Sequence, residues 1–154
     1  GAAGRTFCCG PAGVTEDSQL RHASCVAVGG RGVLIEGPSG AGKSMLALHM
    51  MALGASLVAD DRVLLQRRGG DVMADAPPGL PAAIEARGIG LLAADLIGPV
   101  ALHVVVDLAQ AETQRLPPHR RFTLLGCAFP LVLGGDADHL AIGLMQYLRR
   151  GRFA

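Results

Sequence analysis

Short apolar runs alternate along the chain with clusters of glycine, proline and charge, and the period and length of each run set the element it predicts. The stretch from Leu20 to Val28 alternates loosely and is β-prone at Cys25-Val26-Ala27-Val28. Gly29-Gly30 follows, and then the run Gly32–Glu36. Two strands joined by Gly-Gly read as a hairpin, so the strand that leads into position 37 has an antiparallel predecessor. Ser44–Leu53 is rich in helix formers and stops at Gly54. Ser56-Leu57-Val58-Ala59 is a short apolar strand ending in Asp60-Asp61-Arg62. Val63–Arg67 and Val72–Ala74 flank Arg68-Gly69-Gly70-Asp71 as a second hairpin. Ala76–Pro81 carries three prolines and reads as a rigid loop. Ile84–Gly90 reads as a charged loop with glycines.

Val100–Asp107 is the clearest buried strand. Ala109–Pro118 is a polar loop, Arg121–Cys127 and Phe129–Leu133 are two more strands, and Ala137–Arg150 is a helix with Leu140, Leu144, Tyr147 and Leu148 on one face. Helices among hairpins and buried strands predict an α/β fold with a mixed sheet. Residues 1–18 have no periodicity and read as a flexible, in part non-native, N-terminal segment, leaving a single domain over 19–154.

Composition narrows the picture. Of 154 residues, 50% are hydrophobic but only 3% are aromatic, so the core is built from Leu, Val, Ile, Ala and Met. The net charge of +1 gives no global pull toward nucleic acid or an acidic membrane. The longest apolar stretch, Ile89–Val106, is broken by Asp95, Gly98, Pro99 and His103, which argues against a membrane span. Cys8, Cys9, Cys25 and Cys127 form neither a CxxC nor a zinc spacing, and the adjacent pair suits no mutual disulfide. A cytoplasmic protein with reduced thiols is the expectation.

The chemistry centres on Gly37-Pro38-Ser39-Gly40-Ala41-Gly42-Lys43-Ser44, which fits G-x-x-x-x-G-K-[ST] between a strand and a helix. Glycines let backbone N–H groups approach phosphate oxygens, Lys43 would reach the β/γ-phosphates, and Ser44 would offer its hydroxyl to Mg²⁺. Downstream, Asp60 and Asp61 point to opposite faces of an extended chain, so they divide two jobs: one faces Mg²⁺ and water, the other an attacking hydroxyl. A solvated turn is the alternative for that pair. Glu85 and Arg87 share a face if extended, a carboxylate for a metal beside a guanidinium for a phosphate, although residue types alone favour a surface ion pair. Asp107 ends its strand as metal-binding carboxylates do in many phosphate-loop enzymes. On residue type alone His22 reads as a surface or structural histidine.

Taken together, the phosphate loop, Leu57-Val58-Ala59-Asp60-Asp61-Arg62-Val63 and Ile84-Glu85-Ala86-Arg87-Gly88-Ile89-Gly90 resemble the C-terminal catalytic domain of bacterial HPr kinase/phosphorylase, over roughly His22 to Arg150. The resemblance implies a fold similar to the nucleotide domain of phosphoenolpyruvate carboxykinase. It implies Mg²⁺-dependent transfer of the γ-phosphoryl group of ATP to a serine of HPr, the phosphocarrier of the sugar phosphotransferase system, and so regulation of carbon metabolism. On the matching positions, Lys43 is the phosphate-binding lysine, Ser44 and Glu85 are Mg²⁺ ligands, and Asp61 is the proton acceptor. Asp60 is its acidic neighbour at the metal, His22 the active-site histidine, and Arg115 the mobile-loop arginine. Family members form hexamers. The family's usual N-terminal domain is absent, which makes this a short form or a fragment. Longer members carry a basic run where this chain has Phe129–Asp136, with no basic residue, and that weakens the expectation of the reverse, phosphorylase reaction. A small-molecule kinase or NTPase using Asp107, and a nucleotide-sensing module without transfer, are the competing readings.

Overall fold

A computed structural model describes residues 17–135 and 139–154. The element order is β1 (Ser18–Arg21), β2 (Ser24–Val28), β3 (Arg31–Glu36), α1 (Lys43–Ala52), β4 (Ser56–Ala59), β5 (Val63–Arg68), β6 (Asp71–Asp75), β7 (Ala83–Ala86), β8 (Gly90–Ala93), β9 (Val100–Asp107), β10 (Arg120–Leu124), β11 (Cys127–Leu133) and α2 (Leu140–Arg150). Nine strands form one sheet in the order β1-β5-β6-β9-β3-β2-β4, with β11 joined to β9 and β10 to β11. The expected hairpin entering position 37 is there: β2 and β3 run antiparallel around Gly29-Gly30, both glycines at positive φ. β3 and β9 are parallel, as are β9 and β11, and the other pairings of this sheet are antiparallel, so the sheet is mixed as the sequence predicts.

Alternation along the central strands divides the interior in two. Val33 and Ile35 of β3, Val26 of β2, and Val104 and Val106 of β9 face α1 and α2, meeting Leu46, Ala47, Met50, Leu144, Met145 and Leu148. Leu34, Cys25 and Val105 point the other way, into a core closed by Val58, Val63, Leu65, Leu124 and Phe129. The sheet curls round this second core, since β4 at one edge and β5 near the other both feed it. Arg31, in the β2–β3 hairpin, donates from Nη1 to the carbonyl of Leu148 at 2.7 Å, pinning the end of α2 to the sheet. Among the described residues no helix is long and apolar enough to cross a membrane.

Four elements differ from the sequence reading. The stretch Leu20–Val28 is not one strand: β1 and β2 part at His22-Ala23, because β1 pairs with β5 and β2 with β3 and β4. Ile84–Gly90 is not a loop but most of the β7–β8 hairpin, a separate two-stranded sheet seated on α1 through Ile84. Its charged residues masked the inward apolar positions Ile84 and Ala86. Within β9, the register skips His103 between Leu102 and Val104, and the bulge turns that imidazole out to solvent. Cys127 opens β11 rather than closing β10, because Leu125-Gly126, both at positive φ, make the turn. Most of the N-terminal segment, residues 1–16, lies outside the described residues, as do 136–138 at the start of the expected C-terminal helix; Ser18 already belongs to β1.

Candidate active site

β3 delivers the chain to the phosphate loop, and α1 carries it away. Gly40 and Gly42 stand at φ 86° and 99°, and a Cβ at either would meet nothing within 4 Å. Backbone conformation, not crowding, therefore calls for glycine at both, and the space above the loop stays open for an anion. Ala41 N–H donates to Pro38 O at 3.0 Å and closes the loop on itself. No side chain caps the first turn of α1 and no acidic residue sits in it, which leaves its N–H dipoles facing that space. Lys43 is buried; its Nζ donates to Gly37 O at 2.8 Å and to Pro38 O at 3.1 Å.

The two aspartates at the end of β4 divide as alternation requires. Asp60 is buried and receives three hydrogen bonds: Ser24 Oγ and Ser44 Oγ to Oδ1, each at 2.7 Å, and Glu85 N–H to Oδ2 at 3.2 Å. One carboxylate thus joins β2, α1 and the β7–β8 hairpin. Because Ser44 gives its proton to Asp60, the lone pairs of its hydroxyl are left for a cation. Asp61 faces the other way, into solvent. It sits at φ 72°, and Arg62 N–H bonds back to Asp60 O at 2.9 Å. That is a γ-turn of the strained, positive-φ kind, a conformation found where function over-determines the backbone. Its Oδ1 lies 3.1 Å from Nε2 of His22, which the break between β1 and β2 brings to the same corner.

A cleft of about 310 Å³ is lined by His22, Ser24, Ser39, Gly40, Gly42, Lys43, Ser44, Met45, Asp61, Glu85 and Arg87. The phosphate loop, the Asp61–His22 pair and Glu85 thus meet in one place, and Asp60 stands behind them. Arg115 does not line the cleft: it is exposed in the segment between β9 and β10. That segment is held by Glu112, which accepts from Arg120 Nε and Nη2, each at 3.0 Å. Asp107 is also elsewhere engaged, accepting from Ala109 N–H at 2.8 Å and Gln110 Nε2 at 3.1 Å in the turn after β9. A metal role for Asp107 is therefore not supported. Sequence reading passed over Ser24, whose signal was one hydroxyl in an otherwise apolar strand, and Met45, which had none. Arg87 reaches the cleft from the β7–β8 turn rather than by sharing a strand face with Glu85.

The donors on the cleft wall fit Mg²⁺. Ser44 and Glu85 supply hard oxygen, and no group of three or more His, Cys, Asp or Glu able to hold a metal occurs among the described residues. Magnesium characteristically takes one or two protein oxygens and fills its octahedron with phosphate oxygens and water.

A mixed sheet that sets a phosphate loop and an acid–histidine pair on one cleft defines a phosphate-loop α/β domain. Comparison with known proteins makes this specific. The model of the family described as HPr Serine kinase C-terminal domain matches residues 14–114, more than half of the chain, and the chain belongs to that family. HPr kinase/phosphorylase of Nitrosomonas europaea is 47% identical over 73 residues, 47% of this chain and 23% of that protein. The Burkholderia lata protein of the same name is 41% identical over 107 residues, covering 62% and 33%, and that of Mycoplasma mycoides 31% over 132 residues, covering 79% and 41%. The chain spans well under half the length of these relatives. The structure of the Hpr(Ser) kinase/phosphatase from Coxiella burnetii superposes with a TM-score of 0.73 at 25% identity, over 85% of this chain and 88% of that one.

Proposed function

We propose that the chain is the catalytic domain of a cytoplasmic protein-serine kinase that transfers the γ-phosphoryl group of ATP to HPr. The observation that carries this reading is Asp61, turned outward on a strained γ-turn with His22 at 3.1 Å, facing the same cleft as Lys43 and Ser44. A serine hydroxyl is a poor nucleophile until a neighbouring base takes its proton. Asp61 is the group placed to do so, and His22 orients its carboxylate. As the O–P bond to the acceptor serine forms, the bond from the γ-phosphorus to the ADP oxygen breaks and the serine proton passes to Asp61. The loop N–H groups and Lys43 hold the phosphates in line, and Arg87, on the cleft lining, offers a second cation. Ser44, oriented by Asp60, and Glu85 would hold Mg²⁺, which when bound neutralises charge on the phosphate oxygens.

Incubation with Mg²⁺, ATP and HPr from the same source, followed by mass spectrometry of HPr, tests this. One phosphate gained on a serine, and lost with Lys43→Ala, is the expected result. Unchanged HPr alongside measurable nucleotide binding would refute it. The reverse reaction is expected to be weak, because Phe129–Asp136 carries no basic residue where longer members have a basic run.

A further inference from the structure

One bidentate ion pair beside the cleft has no part in the chemistry of the kinase reaction. Arg21 is the last residue of β1 and Glu36 the last of β3. Arg21 Nε donates to Glu36 Oε2 and Arg21 Nη2 to Glu36 Oε1, both at 2.7 Å. The guanidinium also lies 5.6 Å from the ring centroid of Phe122 on β10. β1 and β3 are not neighbours in the sheet; β5, β6 and β9 stand between them, and the curl brings their ends together.

The pair draws its interest from the residues next to it in the chain. One step beyond Arg21 is His22, and Arg21 itself is in register with Val63, just past Asp61 and Arg62. One step beyond Glu36 is Gly37, the first residue of the phosphate loop. The pair therefore links the corner that holds the proton acceptor to the base of the loop that holds the phosphates. Both side chains are largely buried, at 25% and 16% exposure. A buried ion pair is a poor source of stability, because desolvation offsets much of the attraction. A fork-to-fork guanidinium–carboxylate contact does, however, fix distance and angle as an apolar contact does not.

We propose that Arg21 and Glu36 are positioning residues, a clamp that holds the His22–Asp61 pair in register with the phosphate loop. Its catalytic consequence rests on the kinase reading; its mechanical part does not. Neither residue touches the reacting atoms, so breaking the clamp separates binding from transfer. Nucleotide still finds the loop, Lys43 and the start of α1, but the acceptor serine and its base drift out of line. Misplacement by about 1 Å costs on the order of 100-fold in rate.

The test uses Arg21→Lys, which keeps the charge and loses the fork, and Glu36→Gln, which keeps the shape and loses the charge. Transfer to HPr is expected to fall about 10- to 100-fold in each, while nucleotide affinity, read by titration with a fluorescent ATP analogue, changes less than about threefold. Hydrogen exchange by mass spectrometry supplies the second readout. Protection is expected to drop in both peptides that flank the clamp, residues 19–24 and 36–44, and to hold in residues 100–107 and 140–150. Equal losses of affinity and transfer, or exchange rising through β9 and α2 as well, would reduce the pair to a fold-stabilising contact and overturn the proposal. Unchanged transfer in both variants would overturn it too. If the wild-type chain itself transfers nothing to HPr, the kinase reading fails, and the exchange pattern still decides whether the clamp exists.

Discussion

Asp61 is at once the proposed proton acceptor and a non-glycine residue at φ 72°, and the two properties are separable by substitution. Asp61→Ala and Asp61→Gly both delete the carboxylate and its contact with His22. They differ only in a Cβ that the local backbone disfavours. An L-residue with left-handed φ costs about 1–2 kcal/mol relative to a free choice. Glycine gives back about 0.4–1 kcal/mol by widening the unfolded ensemble. The glycine variant is therefore expected to be more stable than the alanine variant by up to about 1.6 kcal/mol, or up to about 6 °C in Tm for a domain of this length. Loss of the His22 contact adds little to either, since both side chains are more than half exposed and such pairs are worth at most about 1 kcal/mol. Transfer to HPr should fall about 10²- to 10⁴-fold in both, the usual worth of a positioned base. Thermal melts, nucleotide titration and the HPr mass assay on the two variants decide the matter. An alanine variant that melts above the glycine variant would refute the strained γ-turn. Full transfer by either variant would refute Asp61 as the base.

Ser24→Ala removes one of three donors from a buried carboxylate and should destabilise the domain by about 1.5–3 kcal/mol in a denaturant titration, the worth of a hydrogen bond to a charged group. Asp107→Asn should leave transfer to HPr within about twofold of wild type while Asp61→Ala lowers it at least about 100-fold, because an asparagine oxygen can still accept from Ala109 N–H; the reverse ranking would revive a metal role for Asp107. Glu112 is held below the ordinary carboxylate value of 4.5, chiefly by its hydrogen bonds from Arg120. Its folded pKa is depressed, so its contribution is present above that value and lost as pH falls through the lower one. The segment between β9 and β10 should become protease-sensitive in acid, and Glu112→Gln should reproduce that at neutral pH.

The strand, glycine loop and helix were legible because each step there is local: an apolar run, glycines at fixed spacing, a set of helix formers. The β2–β3 and β5–β6 hairpins were legible for the same reason, through Gly-Gly pairs at their turns. Period-two alternation correctly placed the Asp60 and Asp61 side chains on opposite faces. It could not tell which turned inward, since that depends on Ser24, Ser44 and the backbone of Glu85, all distant in sequence. The β7–β8 hairpin was hidden because it buries little on its own and owes its place to α1. The division of Leu20–Val28 was hidden because β1 follows β5 rather than its own neighbour in sequence, and with it went the clue that His22 sits at a corner. The Arg21–Glu36 pair has no sequence signature, since only the curl of the sheet makes neighbours of its ends.

The bond from Arg31 to the carbonyl of Leu148 joins residues 117 positions apart. On a ribosome, the β2–β3 hairpin, the phosphate loop and α1 emerge long before α2 exists. Until then the side of α1 and the sheet that Ala141, Leu144, Met145 and Leu148 will cover is open to water. A nascent chain at that stage has the whole nucleotide-binding motif and no finished layer beneath it, so it offers a holdase chaperone an apolar face before it offers ATP a rigid site. Such long-range closure slows folding, because the entropy of bringing distant segments together comes before their contacts reward it. Ligand capture should accordingly be a late event in biogenesis, following the arrival of α2 rather than the appearance of the loop.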